Sequence, residues 1–199
     1  MFKKLLKNTK FRLVVKNFYK TNMNVVDILL FGSLVRGKFE PKDVDILIIY
    51  NKKLSKEIIY DFKNDLNKII KGVNIVSIDY KELFDKNFQA RGSFLTESYS
   101  LITNKFISQG MGFSNMVLFK YDLGGLTKSK KMGFYHSLNG RNNKGILKEL
   151  KAHKFSDNVI MVSIEKEEEL KEFFDFNHVK FIEFPILIPE IVLNSKIFN

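Results

Sequence analysis

The stretch from Val25 to Ile49 limits what this chain can become. Val25 to Phe31 is an apolar run of strand length, closed by Gly32-Ser33, and reads as a buried strand. A short basic segment containing Arg36, Gly37 and Lys38 runs on to Pro41. Asp43-Val44-Asp45 then opens a second apolar strand, which continues through Ile46-Leu47-Ile48-Ile49 to Tyr50. On a strand, residues i and i+2 share a face, so Asp43 and Asp45 point the same way at the mouth of an apolar element. Like charges side by side repel, and burial raises that cost. A divalent cation removes the conflict: Mg²⁺ takes oxygen ligands and is usually held by one or two carboxylates together with substrate phosphates. The Gly32-Ser33 turn suits those phosphates, because glycine lets the backbone approach closely and a helix start presents free N–H groups to an anion.

Gly32-Ser33, Arg36-Gly37, Pro41 and Asp43-x-Asp45 occur in this order between two strands, with a spacer of about ten residues between Gly-Ser and the acidic pair. The arrangement resembles the nucleotidyltransferase superfamily to which DNA polymerase β belongs, and especially its minimal nucleotidyltransferases. The resemblance covers the N-terminal half. It implies an α/β (α+β) fold with a small mixed-sheet nucleotidyltransferase domain; the β-α-β-α-β order of the C-terminal half suggests that a second small α/β or α+β unit follows it. The resemblance also implies Mg²⁺ (or Mn²⁺) held by Asp43 and Asp45, and a nucleoside triphosphate whose phosphates meet Gly32, Ser33 and Arg36. Minimal members often act with a helical partner protein, so a protein partner is a further expectation.

Two of these residues have a second reading. Ser33 also suits a helix N-cap, and Arg36 also suits an ion pair with a local carboxylate such as Glu40. The family's third carboxylate lies on the next strand between apolar residues. The position that matches it is Asn74, in Val73-Asn74-Ile75-Val76. Asn74 is therefore the third catalytic candidate beside Asp43 and Asp45. It offers a carbonyl ligand but accepts no proton as a base. Asp79, five residues on, points to the opposite face by strand alternation and reads as the N-cap of the segment Tyr80-Lys81-Glu82-Leu83.

The remaining elements follow from periodicity. Residues 2–20 read as one helix, with Phe11, Val14, Val15 and Phe18 on one stripe. Asp27 reads as a strand start or edge position, and residues 33–38 as a short helix. Residues 55–71 form an amphipathic helix capped by Ser55 and stopped by Gly72; Val73 to Asp79 is the third strand. Asn87 to Ser93 reads as a loop and Phe94 to Ser108 as a helix. Gln109-Gly110-Met111-Gly112 breaks the chain, giving domains at 1–110 and 113–199. In the second, Met116–Leu123 is a strand and Thr127 caps a helix to about Leu138, closed by Asn139-Gly140. Residues 144–151 form a short helix, Val159–Ile164 a strand, Glu165–Phe174 an acidic helix and Val179–Ile188 a final strand.

Charge bears on partners. The chain has 199 residues, no cysteine and a formal net charge of +11. The lack of cysteine excludes disulfides and thiolate metal sites and fits a reducing cytoplasm. No apolar run approaches membrane-spanning length, so no membrane partner is expected. The basic excess is concentrated between Lys120 and Lys154, where the only acids are Asp122 and Glu149. Lys128, Lys130, Lys131, Tyr135 and Arg141 in this run mix cations with an aromatic ring, which suits the backbone and unstacked bases of RNA or DNA. A solvated lysine-rich helix gives the same pattern. Two functions follow: metal-dependent transfer of a nucleoside monophosphate to a hydroxyl, on nucleic acid or elsewhere, or a nucleic-acid-binding or regulatory module with a degenerate nucleotidyltransferase site.

Overall fold

The computed structural model describes residues 1–88, 91–140 and 145–193. The chain divides into two compact units, Met1–Gly110 and Met111–Asn199.

The first unit opens with two helices, α1 (Phe2–Leu6) and α2 (Thr9–Thr21). The single helix expected over 2–20 is interrupted because Asn8 leaves helical geometry and caps α2, its side chain accepting from the Phe11 amide at 3.1 Å. The sheet is built from β1 (Val25–Phe31), β2 (Val44–Tyr50), β3 (Val73–Asp79), β4 (Tyr99–Ser100) and β5 (Lys105–Phe106), in the spatial order β3-β2-β1-β4-β5. β1 pairs antiparallel with β2 and β4, while β2 pairs parallel with β3. The sheet is therefore mixed. Parallel neighbours need a long crossover, and α3 (Lys56–Asn67) supplies it, capped by Ser55 accepting from the Ile58 amide.

β2 lies between two strands and is buried along nearly its whole length. That is why it reads as an unbroken apolar run rather than an alternating one. One layer against the sheet comes from α2 and α3, where Phe18 and Phe62 stack at 3.9 Å between ring centroids. On the other face Leu29, Leu47 and Ile49 form a cluster with Phe31, Ile78, Leu83, Phe94 and Ile107.

The helix expected over 94–108 is not formed. A helix α4 (Arg91–Glu97) starts inside the segment read as a loop, and β4 and β5 follow it. Leu95, Tyr99, Ile102 and Phe106 have helical spacing, but Tyr99 and Ser100 pair with Leu30 and Leu29. The edge of a buried apolar strand offers more than an isolated helical turn. β1 is thus an internal strand, and Asp27 is not at a sheet edge: its Oδ1 accepts from Ser100 Oγ at 2.8 Å.

The second unit is a four-stranded antiparallel sheet of β6 (Phe113–Asp122), β7 (His153–Ser156), β8 (Val159–Ser163) and β9 (Lys180–Pro189), ordered β7-β8-β6-β9. Helices α5 (Lys128–Asn139), α6 (Ile146–Glu149), α7 (Glu167–Phe176) and α8 (Glu190–Leu193) complete it. Thr127 caps α5, accepting from the Lys130 amide. Phe134 of α5 and Phe174 of α7 meet Tyr121 of β6 at 5.4 and 5.3 Å between centroids, and Phe181 of β9 joins Phe174 at 5.2 Å. Burial pushes the Tyr121 phenol up to about 12; its hydroxyl donates to the Asp157 carbonyl at 2.7 Å. β7 is absent from the strand order that periodicity suggests. It is a short, mostly exposed edge strand with no apolar period to announce it. The architecture is mixed α+β throughout, as the sequence indicates.

Candidate active site

The site gathers where β1 ends and β2 and β3 begin. Phe31 of β1 faces Asp45 of β2, and Asp45 faces Asn74 of β3. One row across three strands therefore carries Phe31, which leads into the Gly-Ser turn, the second aspartate and the third-position residue. Asn74 Nδ2 donates to Asp45 Oδ1 at 3.3 Å. Asp43 is exposed and Asp45 half-buried. Among the described residues no cation is paired with either aspartate, in a chain of net charge +11. Two carboxylates lie there unneutralised by the protein.

Two glycines flank them. Gly32 has φ +76°, and a Cβ built on it would lie 2.8 Å from Asp45 Oδ2. Gly72 has φ +73°; its Cβ would lie 2.7 Å from the Lys42 carbonyl and 3.4 Å from Asp43 Oδ1. Both positions need the left-handed region and both lie close to the acidic segment, so a side chain is excluded twice over. The Gly72 carbonyl also accepts from the Val44 amide at 2.8 Å, between the two aspartates. Sequence reading identifies Gly72 only as a helix stop. Its approach to Asp43 depends on β2 and β3 lying side by side.

Residues 33–38 form consecutive tight turns rather than the expected short helix. The Gly32 carbonyl accepts from Val35 and Arg36, and the Ser33 carbonyl from Lys38, at 3.0, 3.2 and 3.1 Å. Ser33 therefore has no helix to cap. Among the described residues, its hydroxyl and the amides of Ser33 and Leu34 have no protein acceptor. Successive free N–H groups in a turn form a concavity that suits an anion.

Arg36 leaves the turn on the side away from β3. Its Nη1 meets Glu97 Oε2 at 2.8 Å, and Glu97 is 8% exposed. The two residues are 61 positions apart, so no local pattern signals the pair. It ties the turn to the end of α4. Asp79 caps the 3₁₀ segment Tyr80–Phe84, accepting from the Lys81 amide at 2.9 Å.

The basic candidates lie in the other unit. Lys128 and Lys130 are exposed on α5, Lys131 is half-buried, and Tyr135 is 36% exposed with its ring 5.8 Å from that of Phe134. Arg141 lies outside the described residues. Among the described residues no helix is long and apolar enough to cross a membrane.

Residues 14–99 match the family model described as Polymerase beta, Nucleotidyltransferase. No curated protein matches the chain. Solved structures that resemble it include a mutant of the toxin–antitoxin pair MntA–HpeT, 15% identical over 45% of this chain and 70% of that one, with a TM-score of 0.35. A toxin–antitoxin with AMP-PNP is 18% identical over 45% of this chain and 71% of that one, also with a TM-score of 0.35. A tri-AMPylated Shewanella oneidensis HEPN toxin in complex with MNT antitoxin is 16% identical over 45% and 70%, with a TM-score of 0.29. Within the first unit, residues 14–99 are thus similar to nucleotidyltransferase domains of the polymerase-β type.

Proposed function

We propose that this chain transfers a nucleoside monophosphate from a nucleoside triphosphate to a hydroxyl acceptor and releases pyrophosphate. The observation that carries the reading is the Asp43–Asp45 pair without a protein countercharge beside the Gly32 turn. The donors suit a hard divalent cation, Mg²⁺ or Mn²⁺. Both are oxygen anions, one exposed and one half-buried, and the missing Cβ at Gly32 leaves room at Asp45 Oδ2. When bound, such an ion neutralises charge on the triphosphate.

The chain's own residues do the rest. Asp43 and Asp45 hold the ion. The free amides of Ser33 and Leu34, with the Ser33 hydroxyl, receive phosphate oxygens that come close because position 32 has no side chain. Arg36 contributes by fixing the turn through Glu97, and its guanidinium adds positive charge on the same segment. Catalysis of this kind rests on positioning and electrostatics rather than on covalent chemistry by the protein.

The test is transfer from α-³²P-labelled ATP, CTP, GTP and UTP, with RNA, DNA ends and the protein itself offered as acceptors. Asp43→Asn and Asp45→Asn should each lower transfer about a hundredfold or more, as loss of a preorganised electrostatic group does, while circular dichroism and melting stay near wild type. Full activity in both variants overturns the assignment.

A second reading is a nucleic-acid-binding or regulatory module with a degenerate site. The presence of an amide, Asn74, at the third position favours it. Salt-dependent RNA or DNA binding with no triphosphate turnover would select it.

A further inference from the structure

The charge of the site is decided at position 74. Asn74 stands directly opposite Asp45 in the parallel register of β2 and β3, with its side chain on the same face, and its Nδ2 donates to Asp45 Oδ1 at 3.3 Å. A carboxylate here would give three negative charges on adjoining strand ends; the amide leaves two.

Other acids of the same unit do not make up the difference. Asp79 Oδ1 accepts from the Lys81 amide. Glu97 is buried against Arg36. Asp27 accepts from Ser100 and from the Ile28 amide. Among the described residues no three His, Cys, Asp or Glu side chains gather where they could hold a metal ion.

A pair of cations about 3.5–4 Å apart, as in two-metal phosphoryl-transfer sites, brings four positive charges into a small volume. Each ion needs anionic oxygens of its own. Two carboxylates match one divalent cation, and an amide NH₂ turned toward Asp45 presents a positive dipole end to one of the oxygens a second ion would need.

We infer that this site, on the transferase reading above, holds a single divalent cation, the one that arrives with the triphosphate, and that Asn74 sets that number. Asn74 acts through Asp45 and is a positioning residue. The amide takes no proton at neutral pH. As the acceptor oxygen bonds to the α-phosphorus and the bond to the β-phosphate breaks, the hydroxyl proton therefore leaves to a solvent water or a phosphate oxygen and not to Asn74.

The experiment counts ions. The full chain is titrated with Mn²⁺ in the presence of α,β-methylene-ATP, and free Mn²⁺ is read by electron paramagnetic resonance. Wild type and Asn74→Ala should bind one Mn²⁺ per chain, and Asn74→Asp should bind two. Two ions on wild type, or one on a folded Asn74→Asp, overturns the inference and leaves the transferase reading standing. No Mn²⁺–nucleotide binding by wild type, or binding that Asp43→Asn and Asp45→Asn leave unchanged, removes both. If Asn74→Asp does not fold, the wild-type count alone decides.

Discussion

Asp27 shows how far a single residue's chemistry departs from its sequence reading. It lies in an internal strand, half-buried, with Ser100 Oγ and the Ile28 amide on one carboxylate oxygen. Burial pushes its carboxyl above the ordinary range; the Ser100 and Ile28 hydrogen bonds oppose the shift without cancelling it. A carboxylate raised in the folded state is fully tolerated below its unfolded pKa, and that stability is lost as pH rises through the folded value. At neutral pH the wild type therefore carries the cost of the charge. Asp27→Asn keeps an oxygen for both donors and cannot ionise. Its melting temperature should exceed wild type at pH 7, and the gap should close as pH falls below the ordinary carboxylate range. A gap independent of pH would show that Asp27 does not titrate in this way. The Arg36–Glu97 pair makes the same point at the site. Its partner lies 61 residues away, while sequence reading has only the neighbouring Glu40 to offer.

At the scale of elements, the first turn of α5 works against its own helix dipole. That turn holds Lys128, Lys130 and Lys131 and no acid, although the positive end of the helix dipole favours acids there. The apolar side is adequate: Phe134 and Leu138 are buried, and Phe134 packs on Tyr121 and Phe174. The lysines are therefore not explained by folding, and we expect them to meet phosphates. Lys128→Ala with Lys131→Ala should flatten the salt dependence of binding to a single-stranded RNA oligonucleotide. The slope of log K against log salt should fall by about 0.7 for each phosphate that the variant no longer neutralises. An unchanged slope would mark the helix as an ordinary solvated surface. Elements with a strong internal signal are legible in the sequence: β1, β2, β3, α3 and α5 lie within a few residues of their expected places. β4, β5 and β7 are not, because strands of two to four residues carry no period and exist only by pairing: β4 with β1, β7 with β8, and β5 with β4.

For the whole molecule, what matters most is that the candidate site and the basic helix belong to different units. Gly32, Ser33, Arg36, Asp43, Asp45 and Asn74 all fall within Met1–Gly110, which has its own sheet and apolar clusters. A fragment of residues 1–110 that folds by circular dichroism should bind Mn²⁺ with α,β-methylene-ATP as the full chain does. Loss of binding by the folded fragment would mean that the second unit supplies part of the site. Read alone, the sequence carries the resemblance of the first unit to polymerase-β-type nucleotidyltransferases, the α+β class, the Gly32-Ser33 turn and the acidic pair, because each is written in residues close together along the chain. The tertiary structure alone decides that Asn74 faces Asp45, that Gly72 lies against Asp43, that Glu97 holds Arg36 and that Asp27 is internal. These contacts depend on strand order and register, which arise from burying apolar faces of distant segments against one another, and no short stretch of sequence encodes that burial.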